Sequence, residues 1–463
     1  MVRYLIKHLI LFLAVQPLTA QNLLDHTSPN IVLIVADDLG YGDLSCYGSK
    51  KIHTPHLDKL ADQGMRLTSF YANGPECTPT RTALLTGRYQ QRVGGLECAI
   101  GLGNLGRYPE AKTLSDAGRL GLPPSFSVLP SMMNDYGYNT ALIGKWHLGE
   151  GDAYRPAAHG WDYSIGPMGG GVDYFHHTEP IGEFLGTIME GNHDFYRNDQ
   201  PHDRAGYYMT HLITDEAVEY LNNQKPTTPF LLYLPYTSPH QPLQAPDAYE
   251  ESPITMKTWR NGTEDDYKKM IEDLDDGIGK IMAKLDDKGF ADNTIVIFFS
   301  DNGPTTVGST GPYSGNKGHV FEGGIRVPCI IRWPGKIPDG EISAVPYISM
   351  DITAGLAKVL GTVPTKGLDG KDLFGHLVSG SKPDERALFW RKKRSATVRS
   401  AVRKGDLKYI RDQDTDLFAE YLFDLKEDPG EQSNLADKRP ADLKKMQTLL
   451  QEWETDVKGE RYN

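Results

Sequence analysis

Four long apolar runs constrain the fold of this 463-residue chain more than any other feature of its sequence. The first run, at residues 30–36, reads NIVLIVA, contains no charged residue and is rich in β-branched side chains. Such a run is typical of a strand that a parallel sheet buries on both faces. Three further runs, at residues 140–146, 229–236 and 293–303, are similarly apolar over most of their length.

Amphipathic helical patterns separate these runs along the chain, at residues 56–65, 209–224 and 267–289. Strands that alternate with helices indicate βαβ units and a parallel sheet covered on both faces. We therefore predict an α/β fold in which a large, mostly parallel sheet is sandwiched by helices.

The pattern changes at about residue 385, where short strands with hairpin-like turns are followed by one closing helix. This change predicts a smaller C-terminal antiparallel α+β domain at residues 378–463, after a large α/β domain at residues 21–377. A chain of 463 residues is long enough for two such domains.

The first twenty residues have the features of a secretory signal peptide. Arg3 and Lys7 supply a positive start, an apolar run follows, and Ala20 ends the segment at a small residue. The alternative is an uncleaved membrane anchor. No other stretch is apolar enough to span a membrane, so we expect a secreted or periplasmic protein with no membrane contact after cleavage at residue 20.

The formal net charge of −12 argues against a nucleic-acid or anionic-membrane partner. It leaves room for an anionic substrate, because a local cationic pocket can exist on an acidic protein. The basic run WRKKR at residues 390–394 suggests contact with an anionic polymer, but we interpret it as a solvated surface.

The four cysteines, Cys46, Cys77, Cys98 and Cys329, match neither a disulfide framework nor a zinc site in their spacing. Cys77 stands four residues before Arg81 in the segment CTPTR. From spacing alone it is either half of a disulfide or a residue reserved for chemistry. The pairing of the other three cannot be deduced from the sequence.

Pairs of metal-ligating side chains follow two of the predicted strands. Asp37 and Asp38 come directly after the first run, and Asp301 and Asn302 lie at the end of the last. Sites in open α/β sheets lie beyond the carboxyl ends of the strands. Adjacent carboxylates repel each other unless a hard divalent cation is present, although acids at these positions also cap helices and turns.

Other polar residues follow the remaining strands and the loops between them. Lys145 and His147 are two residues apart after a strand, and strand alternation would place them on one side. A histidine, His240, lies between two prolines, and Lys317 lies among glycines. A lysine can neutralise an anion and a histidine can move a proton, but each motif alone also fits an ordinary loop.

A second group of histidines matches no zinc-site spacing; its members are His176, His177, His193, His202 and His211. We interpret this group as part of a loop that lines the substrate pocket, and not as a transition-metal site.

Taken together, these motifs resemble the type I sulfatases of the alkaline-phosphatase-like superfamily. The resemblance rests on NIVLIVADDLGYGDLSCYG, PECTPTRTALLTGRY, LIGKWHLG, SPH and the segment from FFSDNGP to GNKGHVFEGGIRVP. It covers nearly the whole mature chain in the expected order, and its C-x-P-x-R element is highly specific. Thr80 departs from the pattern, since many family members have serine or alanine there.

The resemblance implies that a formylglycine-generating maturation enzyme oxidises Cys77 to formylglycine. One hydroxyl of the aldehyde hydrate would attack sulfur, and the other would collapse to the aldehyde and expel sulfate. It also implies a Ca²⁺ ion held by Asp37, Asp38, Asp301 and Asn302, together with an oxygen of modified Cys77.

The same resemblance implies roles for the remaining site residues. Arg81, one helical turn after Cys77, would stabilise the hydrate. Lys145 and Lys317 would hold sulfate oxygens. His240 would protonate the leaving alkoxide, and His147 would take the proton during collapse of the hemiacetal.

The segment GGGVDYFHH at residues 169–177 resembles part of the sulfatases that act on galactose-type or N-acetylgalactosamine-type sugars. We expect Asp173 to accept hydrogen bonds from sugar hydroxyls, Tyr174 or Phe175 to stack on a ring, and His176 to contact the substrate. The alternative is a glycine-rich surface loop. The predicted substrate is a sulfated carbohydrate, attacked at a terminal sugar.

Two other functions fit the same motifs. One is hydrolysis of a phosphoester or phosphonate ester, by an enzyme of the same superfamily. The other is a non-catalytic protein that binds sulfated glycans and in which Cys77 stays unmodified.

Overall fold

The structure is a computed structural model, and it describes residues 28–94, 96–100, 109–126, 129–179, 192–362 and 367–459. The predicted signal peptide, residues 1–20, lies outside the described residues. No helix in the described ranges has the length and apolar character that crossing a membrane requires.

The described residues form strands and helices that alternate through most of the chain. The strands are β1 (Asn30–Ala36), β2 (Met65–Leu67), β3 (Phe70–Tyr71), β4 (Asn139–Ile143), β5 (Tyr163–Gly166), β6 (Thr178–Glu179), β7 (Asn192–His193), β8 (Tyr196–Arg197), β9 (Gln200–Pro201), β10 (Phe230–Pro235), β11 (Thr294–Ser300), β12 (Cys329–Arg332), β13 (Glu341–Ser343), β14 (Tyr347–Ile348), β15 (Ala387–Arg394), β16 (Thr397–Lys404), β17 (Leu407–Gln413) and β18 (Phe418–Asp424). The α-helices are α1 (Pro55–Asp62), α2 (Cys77–Thr86), α3 (Pro109–Asp116), α4 (Leu129–Asp135), α5 (Met209–Asn223), α6 (Glu264–Asp287), α7 (Glu322–Ile325), α8 (Met350–Val359), α9 (Leu373–Ser379) and α10 (Pro440–Gly459).

One ten-stranded sheet dominates the fold, in the order β13-β2-β12-β11-β1-β10-β4-β5-β8-β9. Its central strands, from β11 through β1, β10 and β4 to β5, are parallel. Antiparallel pairs join β12 to β11 on one side and β8 to β5 on the other. The predicted fold class, a large and mostly parallel sheet with helices, is confirmed.

Helices cover both faces of the sheet, and β1 shows why. Its residues alternate between two apolar cores, with Val32 and Ile34 in one and Ile31 and Leu33 in the other. Helices α1, α5 and α6 contribute to the first core, and α4, α8 and α9 contribute to the second. A strand buried on both faces needs the unbroken apolar run that its sequence has.

The C-terminal part forms a four-stranded antiparallel sheet, β15-β16-β17-β18, and α10 packs on it. Its apolar core also includes Tyr71 of β3, Ala83 of α2 and Val320, so this sheet packs directly against the larger part. The predicted boundary at residue 378 falls within α9. That boundary stays a prediction.

The interpretation of residues 390–394 as a solvated surface is wrong for its central residues. Arg391 and Lys392 are buried in β15, because each pairs with a carboxylate of the larger part. Arg391 bonds to Glu97, and the Lys392 Nζ atom lies 2.7 Å from Glu76. Burial of a cation requires such a partner. The four cysteines are all described, and none forms a disulfide.

Candidate active site

The carboxyl ends of the central strands bring the predicted site residues together. Strands β1 and β11 are in register, with Ala36 beside Ser300, so the acids that follow them become neighbours. The backbone N–H of Asp301 donates to the Ala36 carbonyl at 3.1 Å and continues the ladder. The two polar pairs therefore meet because parallel strands end at one edge of the sheet.

Cys77 lies at the centre of this cluster, as the first residue of α2. Its side chain is 1% exposed, and its Sγ atom lies 3.2 Å from Asp37 Oδ1 and 3.5 Å from Lys317 Nζ. Burial, assisted by the nearby Asp301 and Asp37, raises the pKa of the Cys77 thiol well above its ordinary value. An unmodified thiol here stays neutral, and a neutral thiol is a weak nucleophile.

Each carboxylate of the cluster has a cation beside it. Lys145 bonds to Asp37, and the Lys317 ammonium lies 2.7 Å from Asp38. Arg81 bonds to Asp301 through Nε at 3.0 Å and through Nη2 at 2.8 Å. The three carboxylates and the three cations sum to zero formal charge. Adding one divalent cation would leave a charge of +2, which suits a bound anion.

The donor set also fits a hard metal ion. Asn302 Oδ1 is buried and accepts no hydrogen bond from any described residue, while Nδ2 donates to Asp38 Oδ1 at 2.7 Å. A buried oxygen without a partner is costly unless a ligand satisfies it. Ligand atoms of Asp37, Asp38, Cys77 and His240 all lie within 4.8 Å of one another. Carboxylate and amide oxygens are the ligands that calcium prefers.

The pKa values of Asp37 and Asp301 are shifted in opposite directions by their surroundings. Burial alone would raise the pKa of Asp37, but the attraction of Lys145, His240 and Arg81 holds it well below its ordinary value. Burial and the neighbouring Asp37 raise the pKa of Asp301 to about 6, although Arg81 opposes the shift. A divalent cation among these oxygens would remove their repulsion.

Two histidines flank the cluster, and each has one ring nitrogen held by a backbone carbonyl. Strand β4 ends at Ile143, and His147 has a backbone φ of 56°, so strand alternation does not extend to it. Its Nε2 atom lies 2.6 Å from the Ile100 carbonyl, which assigns the proton to Nε2, and the buried Nδ1 has no hydrogen-bond partner among the described residues. Burial and the nearby Lys145 lower the pKa of His147 well below its ordinary value.

His240 lies on the other side of the cluster. Its Nδ1 atom is 2.5 Å from the Gln241 carbonyl, and its Nε2 atom is 3.7 Å from Asp38 Oδ2. Burial and Lys317 lower the pKa of His240 to about 4, against the opposing carboxylates. With Nδ1 held by the backbone, Nε2 is the atom left to exchange a proton in the cluster.

The structure places two of the predicted sugar ligands inside the protein. Asp173 is fully buried, and its oxygens accept from the backbone N–H groups of Phe175, His176 and Ile254 at 2.7–2.8 Å. Tyr174 is 1% exposed, and its hydroxyl donates to the Thr237 carbonyl at 2.7 Å. The sugar contacts predicted for both residues are therefore corrected, because these side chains have no free surface to offer.

The aromatic stacking predicted for Phe175 meets the same obstacle, since its ring is 4% exposed. His176 is partly exposed, and its Nε2 atom lies 2.8 Å from the Glu250 carbonyl. Its contact with substrate stays a prediction.

The other histidines of that group are separated by their own contacts. His177 and His193 face backbone carbonyls, of Tyr207 and His202 respectively, and His211 pairs with Asp273 at 2.7 Å. They form no candidate metal cluster in the part of the chain that the structure describes.

The sequence profile of the sulfatase family matches residues 29–362. The chain belongs to the sulfatase family. Membership carries sulfuric ester hydrolase activity, and the match spans the strands and loops that supply every catalytic and metal residue predicted above.

Curated relatives and solved structures agree with this assignment. The sulfatase is 32% identical to the steryl-sulfatase of Rattus norvegicus, over 75% of this chain and 70% of that one. It is 33% identical to the N-acetylgalactosamine-6-sulfatase of Homo sapiens, over 78% and 68% respectively. A solved structure of Ps i-CgsB in complex with k-i-k-neocarrahexaose covers 92% of this chain and 93% of its own, at 28% identity and a TM-score of 0.78.

Two residues that the sequence patterns do not single out also lie beside the site residues. Glu76, directly before Cys77, pairs with Lys392 and Arg394 of β15, and Trp259 lies beside His240. The basic run at residues 390–394 was a signal for the first contact, because strand alternation inside a folded sheet sends part of such a run inward. No sequence pattern marks Trp259, since the contact joins separate loops.

Proposed function

We propose that this sulfatase hydrolyses a sulfate ester on a carbohydrate, of galactose type or N-acetylgalactosamine type, with a formylglycine derived from Cys77 and a bound calcium ion. The observation that carries the proposal is the position of Cys77 between Asp37 and Lys317, at 3.2 and 3.5 Å from its sulfur. A buried nucleophile position with both carboxylates and cations around it suits an anionic ester and a metal.

Calcium would be held by Asp37, Asp38, Asp301 and Asn302, together with an oxygen on residue 77. Two observations support this donor set: Asn302 Oδ1 accepts no hydrogen bond from the described residues, and the Asp37 and Asp38 oxygens lie close together. When bound, the ion polarises the sulfate group and the nucleophile.

Formylglycine would replace the thiol of Cys77 after a maturation enzyme acts on the segment Cys77-Thr78-Pro79-Thr80-Arg81. Its hydrate supplies two hydroxyl groups, one to attack sulfur and one to release sulfate. The high pKa of the Cys77 thiol supports this exchange, because the thiol itself is poorly suited to attack. The Nη1 atom of Arg81 donates to the Lys145 carbonyl at 3.1 Å, which fixes the guanidinium near residue 77.

The two lysines would bind the oxygens of the sulfate. Lys145 is 1% exposed and Lys317 has a 21% exposed side chain, so one lies at the bottom of the cluster and the other at its rim. Both approach the cluster from different loops, which lets them hold different oxygens of one sulfate. Fixed cations stabilise the charge that moves toward the leaving oxygen in the transition state.

The two histidines would move the protons. His240 would donate from Nε2 to the leaving sugar oxygen, and a bound sulfate ester would favour its protonated form by adding a negative charge beside it. His147 would act as the base, because its burial keeps it neutral and its Nδ1 lone pair has no partner within the described part of the chain.

The sugar as leaving group is proposed from the relatives. N-acetylgalactosamine-6-sulfatases are 32–34% identical to this chain, and the structure of Ps i-CgsB holds k-i-k-neocarrahexaose. We also propose export to the periplasm or the medium, on the basis of the signal-like residues 1–20.

The proposal is tested by sulfate release from defined sulfated mono- and oligosaccharides, using protein expressed together with a maturation enzyme. Release from a galactose-type or N-acetylgalactosamine-type sugar is the expected result. A matched pair of aryl sulfate and aryl phosphate separates the proposal from phosphoester hydrolysis. Faster cleavage of the phosphate, or binding of sulfated sugars without any sulfate release, would overturn it.

A further inference from the structure

Trp259 lies at the mouth of the cluster, beside the histidine proposed to protonate the leaving group. The centroids of its ring and the His240 ring are 6.5 Å apart, and the planes meet at 70°. The indole is half-buried, so one surface packs on protein while the rest faces solvent. The leaving oxygen must come within hydrogen-bond reach of His240. The indole therefore borders the space that the leaving group must occupy.

Gly171 makes this contact possible. A Cβ atom on Gly171 would lie 2.7 Å from Trp259 Cη2 and 3.2 Å from His240 Cε1. The missing side chain therefore leaves the space in which the indole, the imidazole and the backbone of residues 169–171 meet. That backbone also borders a small cavity lined by Asp37, Lys145 and His240.

The loop that carries Trp259 is fixed at both ends. At one end, the N–H of Ile254 donates to the buried Asp173 carboxylate at 2.7 Å. At the other, a Cβ on Gly262 would lie 2.3 Å from Leu243 Cβ, so the backbone packs closely there. Between them, Thr258 N–H donates to the Thr255 carbonyl at 3.1 Å. Asp173 thus positions the loop instead of binding sugar.

The chemistry of the loop suits a sulfated sugar. The indole of Trp259 offers an apolar face for a pyranose ring, and its N–H makes no hydrogen bond within the described ranges. Lys257 and Arg260 are close to Trp259 in the sequence, are exposed, and form no ion pair in the same ranges. A loop that carries an aromatic ring and two exposed cations suits a saccharide with further anionic groups.

We propose that Trp259 is the platform for the leaving sugar ring and that residues 254–262 form a substrate-recognition loop. This proposal rests on the proposed function, since it assigns the sugar subsite of the same centre. It predicts that Trp259 contributes to binding the saccharide but not to binding inorganic sulfate, which occupies only the cationic end.

The test measures dissociation constants in a Cys77→Ala background, so that binding is recorded without turnover. The probes are inorganic sulfate and mono- and disaccharides sulfated on galactose or N-acetylgalactosamine. Trp259→Ala should weaken saccharide binding by about five- to tenfold, with sulfate binding unchanged. Trp259→Phe should stay within about twofold, because it keeps a ring.

Two matched variants complete the design. Gly171→Ala should weaken saccharide binding in the same direction as Trp259→Ala, because its Cβ would displace the indole. Gly367→Ala should be neutral, because its Cβ would meet no atom of the described residues within 4 Å. Tyr136→Ala removes an aromatic that is 42% exposed at the amino edge of the sheet, before β4, and should also be neutral.

Three results would each overturn the subsite. Trp259→Ala could leave saccharide binding unchanged, it could weaken saccharide and sulfate binding equally, or the Cys77→Ala parent could bind no saccharide. Failure of the proposed function looks different: matured wild-type protein would release no sulfate, while the dependence of saccharide binding on Trp259 persisted.

Discussion

The ammonium of Lys392 lies 2.7 Å from the carboxylate of Glu76, and this contact joins the C-terminal sheet to the residue directly before Cys77. Both side chains are buried. Arg394 and the N–H of Ala99 donate to the same carboxylate at 2.9 and 2.7 Å. Burial alone would raise the pKa of Glu76, but Lys392 and Arg394 hold it below its ordinary value. The small sheet therefore supports the start of α2.

Replacing Lys392 with methionine should lower the free energy of unfolding by about 3 kcal/mol, because it leaves a buried carboxylate short of a cation. We also expect a lower kcat, since the backbone at Cys77 loses a support. Denaturant titration and sulfate-release assays measure the two effects. Lys404→Met, at the last residue of β16, is the control. Equal behaviour of the two variants would contradict the supporting role.

Arg81→Lys should reduce kcat by about 10²- to 10³-fold on a sulfate ester. Lysine keeps the charge, but it cannot donate both to Asp301 through two nitrogens and to the Lys145 carbonyl, as Arg81 does. Steady-state kinetics on an aryl sulfate check the prediction. A variant with wild-type kcat would show that charge alone suffices at this position.

Calcium should raise the melting temperature of protein previously treated with a chelator, because a ligand that binds only the folded state stabilises it. Asn302→Leu should reduce that shift, since it removes the buried Oδ1 that has no donor in the described structure. Asn222→Leu, at an exposed position of α5, should leave the shift unchanged. An undiminished calcium shift in Asn302→Leu would remove this residue from the metal site.

Glu431 should make stability depend on pH. Burial raises its pKa to about 7, from an ordinary value of 4.5, although Lys408 opposes the shift. The folded state then holds a proton that the unfolded state releases, so this group lowers stability as pH rises from about 4.5 to 7. Glu431→Gln should consequently be more stable relative to wild type at pH 8 than at pH 5.

Urea titrations at the two pH values measure this difference. Glu427→Gln, at an exposed position four residues earlier, should show no such change. The same relative stability of Glu431→Gln at both pH values would contradict the buried protonated state.

Much of the fold and of the central cluster could be predicted from the sequence. Strand β1 is an unbroken apolar run because it is buried on both faces, and Asp37 and Asp301 meet because parallel strands end at one edge. The segment CTPTR also predicted the helix that begins at Cys77, and this helix places Arg81 one turn later.

The contacts between distant loops could not be predicted in the same way. Asp173 reads as a free carboxylate next to glycines, and only the folded chain shows Ile254 donating to it from 81 positions away. Lys392 reads as part of a solvated basic run, and only its distance from Glu76 explains its burial. Periodicity reports which face of an element is apolar, but it carries no information on which loops meet.

The central claim is that residue 77, as formylglycine, cleaves a sulfate ester. The most direct test compares sulfate release by matured wild-type protein and by Cys77→Ala on one sulfated sugar. Mass spectrometry of the peptide that contains residue 77 establishes the loss of sulfur in the wild type. We predict sulfate release by the wild type and a loss of at least about 10³-fold in the variant. Full sulfate release by Cys77→Ala would contradict the account.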